Sequence, residues 1–186
     1  LPIVNSRVQI LRVEVWVTNR NGSTTDTRDI VGFMDLGERN PYRTTLLTGT
    51  GDVLPRNDAN NLYSTLTSNP NYRNSSLVQS QLTALGLLPV QDFEKTFARK
   101  LQSSDYVFND KVGFISLNQP LQADEVLGVA YQYTYNGRIF QVGEFSQDVP
   151  PDTTGISQRV LFLKLLKATS QRTNLPIWEL MMKNVY

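Results

Sequence analysis

The pair Asn136-Gly137 constrains the fold of this 186-residue chain more than any other feature of its sequence. It lies between two runs with the composition of β-strands, 125–135 and 138–145. In the first run apolar and aromatic side chains alternate with other residues, as expected of a strand with one buried face. Asn-Gly is the preferred pair in a two-residue hairpin turn, because both turn residues need positive φ. The sequence therefore predicts an antiparallel β-hairpin at this position.

Four further segments are predicted to be strands. The first, 8–20, alternates apolar and mainly polar residues and is rich in β-branched side chains. The second, 29–36, follows after a polar turn, so these two strands are expected to pair as a hairpin with a long loop. A strand is also predicted at 112–118. The apolar segment 159–167 is ambiguous in its period, and we interpret it as a buried strand.

Short helices are predicted in the middle of the chain. Asp58 is expected to cap a helical turn that carries Leu62 and Leu66. Apolar residues recur at helical spacing between 77 and 85, and Gly86 is well placed to end that helix.

Two later segments also have helical patterns. Asp92 is positioned to cap one helix, and basic residues near its end suit the negative pole of the helix dipole. The apolar face of this helix would consist of Phe93, Phe97 and Leu101. The segment 176–186 has a proline in its first turn and is predicted to be the last helix. Its buried stripe would consist of Ile177, Leu180 and Met181.

Strands, then helices, then strands again, without strict alternation, indicate the α+β class. We predict a mainly antiparallel sheet with an Asn-Gly hairpin, packed by several short helices. Hydrophobic residues make up 40% of the chain and charged residues 19%, which is enough for a folded core. Residues 1–186 are predicted to form one soluble domain, in which 39–92 is a loop- and helix-rich insertion. Because the chain begins with Leu1 and has no signal layout, we expect a segment cut from a much larger protein.

The chain contains no histidine and no cysteine, and this narrows its possible functions. A Ser-His-Asp triad, a thiolate nucleophile, a disulfide and a cysteine zinc site are all excluded. The formal net charge is +1, so no concentrated basic face of the kind that binds nucleic acid is expected. We predict no cofactor and no nucleic-acid partner. No run reaches the roughly 18 apolar residues of a membrane-spanning helix.

Three loop segments are candidates for chemistry, and each has a plainer interpretation. Residues 48–52 (TGTGD) lack the Gly-Lys-Ser/Thr ending of a phosphate-binding loop. Asp124 and Glu125 are adjacent, so their side chains point apart and do not converge as glycosidase carboxylates must. Asp26 and Asp29 have no third ligand at calcium-loop spacing. These segments are predicted to be surface loops with solvated charges.

Four aromatic residues form the candidate interaction surface of the chain. They are Trp16, Tyr131, Tyr133 and Tyr135. Alternating rings on a strand are able to bind carbohydrate or peptide, but they also pack against helices with each hydroxyl at a polar edge. The sequence leaves both interpretations open.

Seven stretches, in a fixed order across nearly the whole chain, carry a resemblance to one protein family. They are 12–20 (RVEVWVTNR), 33–38 (FMDLGE), 114–121 (FISLNQPL), 124–127 (DEVL), 131–135 (YQYTY), 142–145 (VGEF) and 178–186 (WELMMKNVY). The chain resembles the SprA (Sov) family of gliding-motility and type IX secretion proteins in the outer membrane of Bacteroidetes. Residues 39–90 carry least of the resemblance.

The resemblance implies a part of a secretion machine. The family forms a very large outer-membrane translocon, and this chain would be a soluble domain of it that faces the cell exterior or the periplasm. The implied partners are the remainder of the parent chain, PorV-like shuttle and plug proteins, and exported cargo. No catalytic residues come with the resemblance.

Three hypotheses for the function follow. The first is a non-catalytic structural or interaction domain of such a translocon. The alternative is a cell-surface carbohydrate- or peptide-recognition module that uses the aromatic residues. The third is a carboxylate-based hydrolase, which needs two acidic groups about 5–9.5 Å apart in a cleft.

Overall fold

The structure, a computed structural model, describes residues 7–52, 54–155 and 158–181. Strand is the main regular structure in it, and helix is confined to short segments. The strands are Val8–Thr18 (β1), Thr27–Phe33 (β2), Phe93–Lys100 (β3), Tyr106–Asn109 (β4), Phe114–Leu117 (β5), Leu127–Tyr135 (β6), Arg138–Val142 (β7) and Leu161–Lys167 (β8). The α-helices are Leu62–Ser68 (α1) and Val78–Ala84 (α2), and 3₁₀ turns lie at Asn57–Ala59, Pro70–Arg73 and Pro176–Leu180.

Five of the strands close into a barrel. Their order is β1-β3-β2-β8-β6, and β6 pairs back onto β1. β2 and β8 are parallel, and the other barrel neighbours are antiparallel. β7 extends the sheet beyond the barrel by pairing with β6, with Tyr135 opposite Arg138. Between them, Asn136 and Gly137 have φ values of 50° and 74°. The mixed α/β fold with mostly antiparallel strands agrees with the predicted class, but the sheet is closed.

Large side chains and small ones share the interior of the barrel. One buried cluster includes residues from each of the five strands. These residues are Trp16, Ile30, Ala98, Ala130, Leu161 and Leu163. Gly32 and Gly128 leave room for their neighbours, because a Cβ atom there would lie 2.9 Å from Leu165 Cδ1 and 3.1 Å from Leu163 Cδ1 respectively. Small barrels are filled in this way by inward-facing residues that alternate with outward-facing ones.

The outer surface of the barrel is covered by two other groups of elements. The helices α1 and α2 pack their buried leucines against Val31, Phe33 and Phe162, whose side chains point outward. The two-stranded sheet of β4 and β5 packs against the outward-facing side chains of β1 and β6. Both α-helices lie within residues 39–92, between β2 and β3. No helix in the described part of the chain is long and apolar enough to cross a membrane.

The predicted end of α2 is confirmed. Gly86 follows the helix with φ of 99°, a value that favours glycine. Its N–H donates to Thr83 O at 3.0 Å, and Leu87 N–H donates to Leu82 O at 3.1 Å. This pair of bonds is the Schellman motif, which satisfies carbonyl groups that a helix end leaves without partners.

The prediction that β1 pairs with β2 is wrong. Both strands pair with β3, which lies between them. Asn19 begins the loop after β1, and its side-chain amide donates to Ser23 O at 2.7 Å. The segment from 19 to 26 thus connects two strands that are separated by a third one.

The helix predicted after Asp92 is also wrong, because this segment is the strand β3. Phe93 is buried against Phe33, whereas Phe97 is 48% exposed, so the two rings do not share a buried face. The Asp92 carboxylate organises the preceding turn, accepting from Leu88 N–H at 2.8 Å. Pairing of β3 on both sides, with β1 and β2, overrides the helical spacing of its apolar residues.

Two further helix predictions are corrected at their ends. α1 begins at Leu62 after Asn61, and Asp58 instead forms an ion pair with Arg56 at 2.8 Å. At the C-terminal end only the 3₁₀ turn Pro176–Leu180 is formed, with Leu180 exposed, and residues 182–186 lie outside the described part.

Candidate functional site

Nine polar or charged side chains are buried in the described part of the chain, and buried groups of this kind are candidates for catalysis or ligand binding. They are Arg28, Asp35, Asn60, Ser75, Asp92, Glu94, Glu144, Lys164 and Lys167. Two of them, Asp35 and Glu144, lie in the stretches 33–38 and 142–145 that the sequence analysis singled out. Their hydrogen-bond partners decide whether they are available to a substrate.

Glu144 is at the centre of the most extensive of these arrangements, here called the Glu144 network. Its Oε1 accepts from the Tyr63 hydroxyl at 3.0 Å and from Arg73, and its Oε2 accepts from Arg73 at 2.5 Å and from Phe162 N–H at 2.9 Å. The Arg73 guanidinium also lies over the Phe162 ring, 4.1 Å from its centre. The carboxylate therefore ties the 3₁₀ turn before α2 to the beginning of β8, and none of its oxygens is left for a ligand.

The stretch 33–38 contains a second buried carboxylate, Asp35, that bonds to the protein itself. Asp35 accepts from the backbone N–H groups of Tyr42 at 2.7 Å and Arg43 at 3.0 Å, which fixes the loop after β2. Burial raises the pKa of Asp35, while these backbone bonds oppose that effect. Lys164 donates to Met34 O and to Glu38 at 2.6 Å. These charges fasten the loop to β8.

Lys167 is held in a shell of backbone carbonyl groups. Its Nζ donates to the carbonyl oxygens of Gln122 at 3.1 Å, Ala123 at 3.0 Å and Glu125 at 2.7 Å. Burial lowers the pKa of Lys167, and nearby carboxylates, Glu94 first, oppose that effect. The side chain positions the loop that precedes β6.

The four aromatic residues of the candidate interaction surface do not share one exposed face. Trp16 is 1% exposed inside the barrel, and its Nε1 donates to Glu14 at 3.2 Å. Tyr133 is 4% exposed and lies on the outer face, stacked between Tyr131 and Phe140, with its hydroxyl donating to Pro55 O at 2.5 Å. Tyr131 and Tyr135 are half-buried. Burial of Trp16 and Tyr133 supports the packing interpretation over ring stacking on a ligand.

Alkaline pH is expected to destabilise the fold through two buried hydroxyl groups. Burial raises the pKa of Tyr133 to about 12, and burial together with nearby Glu144 raises the pKa of Tyr63 to about 12. Both ordinary values are 10.0, so the folded state holds these protons more tightly than the unfolded chain does. This stabilisation is fully present below pH 10.0 and is lost as the pH rises through about 12.

Urea unfolding at several pH values between 10.0 and about 12 measures this loss of stability. Tyr133→Phe should make the fall in the free energy of unfolding less steep. Tyr42→Phe, which removes an exposed hydroxyl, is the matched control and should leave the fall unchanged. A free energy of unfolding that stays constant through the window would contradict the assignment.

The loop carboxylates do not assemble into a site. Asp124 pairs with Arg20, and Glu125 accepts from Gln122 N–H at 2.6 Å. Asp26 accepts from Gln102 and Asp29 from Ser75. Among the described residues no group of three or more acidic side chains is placed to hold a metal ion.

The glycine-containing loop 48–52 is partly fastened to the segment before α1. Thr50 N–H donates to Ala59 O at 2.8 Å, and Thr48 N–H donates to Asn61 Oδ1 at 2.8 Å. These amide groups are not directed at a common anion position, so the loop does not form a phosphate cradle.

One open cleft of about 250 Å³ lies between the barrel and the β4–β5 sheet. Its apolar lining consists of Val17, Leu101, Leu117, Pro120 and Leu121, and uncharged polar residues form a further part of the wall. Three charged side chains also line it, Arg99, Asp105 and Glu125. Sequence reasoning missed this cleft because its walls come from four separate segments, although it had singled out Glu125.

Comparison with established protein families and with characterised proteins gives no match for this chain.

Proposed function

We propose that this chain is a non-catalytic structural and interaction domain of a SprA-like outer-membrane translocon, which serves type IX protein secretion and gliding motility. One observation carries the proposal. The charged residues of the two family-like stretches 33–38 and 142–145, namely Asp35, Glu38 and Glu144, are engaged with the protein's own backbone and side chains. These three residues therefore serve the fold, as expected of a scaffold.

The surface supports an interaction role. Three apolar side chains on three different strands are strongly exposed, Phe97, Val107 and Ile139. Exposed apolar side chains are common singly, but a domain enclosed in a large assembly uses such positions for contact with its neighbours. In this proposal the neighbours are the remainder of the parent chain, PorV-like shuttle and plug proteins, and exported cargo. The domain is associated with the outer membrane and faces the exterior or the periplasm.

Deletion of residues 8–186 from the full-length parent, with a flexible linker in their place, tests the proposal. We expect the parent to reach the outer membrane but export and gliding to be impaired. Re-insertion of the same residues at the linker is the control, since it should restore both activities. Normal export and gliding in the deletion strain would contradict the proposal.

A further inference from the structure

We propose that the cleft lined by Leu101 and Leu121, here called the β4–β5 cleft, receives a lysine or arginine side chain from a neighbouring protein segment. This inference rests on the proposed function, because it names the chemistry of one contact that an interaction domain would make. The shape, the charge and the fixed geometry of the cleft each support it.

The shape of the β4–β5 cleft suits one long side chain. Its volume of about 250 Å³ is below the roughly 300–1,000 Å³ of sites that enclose a drug-sized ligand. Four aliphatic side chains form part of its lining, namely Val17, Leu101, Leu117 and Leu121. The methylene groups of a lysine or arginine pack well on such a surface while the charged end stays near water.

The charges at the cleft favour a cation. Two carboxylates, those of Asp105 and Glu125, and one guanidinium, that of Arg99, line the cleft, so these side chains together carry a net charge of −1. Glu125 uses Oε2 for Gln122 N–H at 2.6 Å. Asp105 uses Oδ2 for Gln102 N–H at 2.9 Å and for Arg99 at 3.4 Å.

The second oxygen of each carboxylate is available to a ligand. Within the described part of the chain, neither Glu125 Oε1 nor Asp105 Oδ1 accepts a hydrogen bond. An ammonium or guanidinium group that binds these oxygens would form charge-assisted hydrogen bonds, which are stronger than neutral ones. A metal ion fits less well, because the described residues offer no group of three acidic ligands.

The walls of the cleft are fixed before any ligand arrives. Lys167 binds the carbonyl groups of the loop that carries Glu125. Asn118 N–H donates to Asp105 O at 2.9 Å, and its side-chain amide donates to Ser104 O at 2.6 Å. A preformed cleft loses less conformational freedom on binding, which favours recognition of a single side chain.

Titration of the isotope-labelled 186-residue chain, followed by NMR, tests the inference. The probe is the peptide acetyl-Leu-Lys-Leu-amide, and its matched control is the same peptide with norleucine in place of lysine. We expect saturable shifts at Leu101, Asp105 and Leu117 with the lysine peptide only, and weaker binding at higher salt. Glu125→Gln and Asp105→Asn keep an oxygen for the backbone N–H groups, and each should weaken binding about tenfold.

Two results would overturn the inference. One is equal binding of the norleucine peptide, and the other is a set of shifts spread over exposed acids such as Asp58 rather than confined to the cleft. An absence of saturable shifts counts against it in the same way. Because this titration needs no translocon, its failure would leave the deletion experiment on the parent protein to be judged separately. Unchanged urea unfolding of Glu125→Gln and Asp105→Asn shows that a loss of binding is not a loss of fold.

Discussion

Glu144→Ala is expected to lower the free energy of unfolding by about 3–5 kcal/mol, because it leaves a buried charge without its partner. Arg73 would keep its place over the Phe162 ring but lose both bonds to the carboxylate. Phe162 N–H and the Tyr63 hydroxyl would lose their acceptor as well. Urea-induced unfolding followed by circular dichroism measures the change.

The matched control is Asp124→Ala, which removes the partner of Arg20 at an exposed ion pair. Exposed ion pairs contribute about 0–1 kcal/mol, so the free energy of unfolding of this variant should be almost that of the unsubstituted chain. Equal effects of the two substitutions would show that the Glu144 network does not hold the fold together.

Trp16→Ala, as a separate substitution, is expected to lower the free energy of unfolding by about 3–5 kcal/mol, because it empties part of the barrel interior. The ring is 1% exposed and contacts a cluster formed by all five barrel strands. The neighbouring Ala98 and Ala130 are too small to fill the space. Urea unfolding again supplies the measurement.

Ile139→Ala on β7 is the control for this substitution. Ile139 is 63% exposed, so its removal should change the free energy of unfolding by no more than about 0.5 kcal/mol. If Trp16→Ala were as mild as Ile139→Ala, the closed and filled barrel described here would be incorrect. The same outcome would return Trp16 to consideration as a residue of a recognition surface.

Strands with a clear local pattern were predictable from the sequence. The alternating run 8–20 contains β1, and the apolar run 159–167 contains β8, of whose residues all but Leu166 are buried. The alternation in 8–20 is typical of a half-buried strand, whereas 159–167 is ambiguous in its period and is interpreted as a strand because it is short and mainly apolar. Their partners were not predictable in the same way. Ile30 pairs with Leu161 in the parallel contact of β2 and β8, and no local pattern specifies such a distant neighbour.

β3 shows why local spacing fails. Phe93 and Phe97 are four residues apart, which suits a helix, but the same spacing also occurs on one face of a strand. The segment is a strand because it pairs with β1 and β2 on either side. Pairing with β2 along most of the strand and with β1 at residues 98–100 provides hydrogen-bond partners for the backbone of β3, and it buries Phe93 while it leaves Phe97 exposed.

The buried charges had a signal in the sequence, but their partners did not. Lys164 and Lys167 interrupt an apolar run, and such a charge is rarely buried unless it is paired. The loop carbonyl groups that surround Lys167 come from more than 40 residues away, at Gln122, Ala123 and Glu125. The β4–β5 cleft was not foreseen for the same reason. Arg99 and Asp105 are six residues apart and pair locally, but Glu125 is brought to them from a distant segment by the fold.

Amide hydrogen exchange of the isolated 186-residue chain tests the central claim most directly, which is that this segment folds by itself into a closed barrel held by its own buried charges. Amide groups in the middle of β2, β6 and β8 should exchange only through global unfolding, with protection that matches the free energy from urea unfolding. Rapid exchange at these positions in the isolated chain would contradict the claim, because it would mean that the strands do not stay paired through the contacts within residues 1–186.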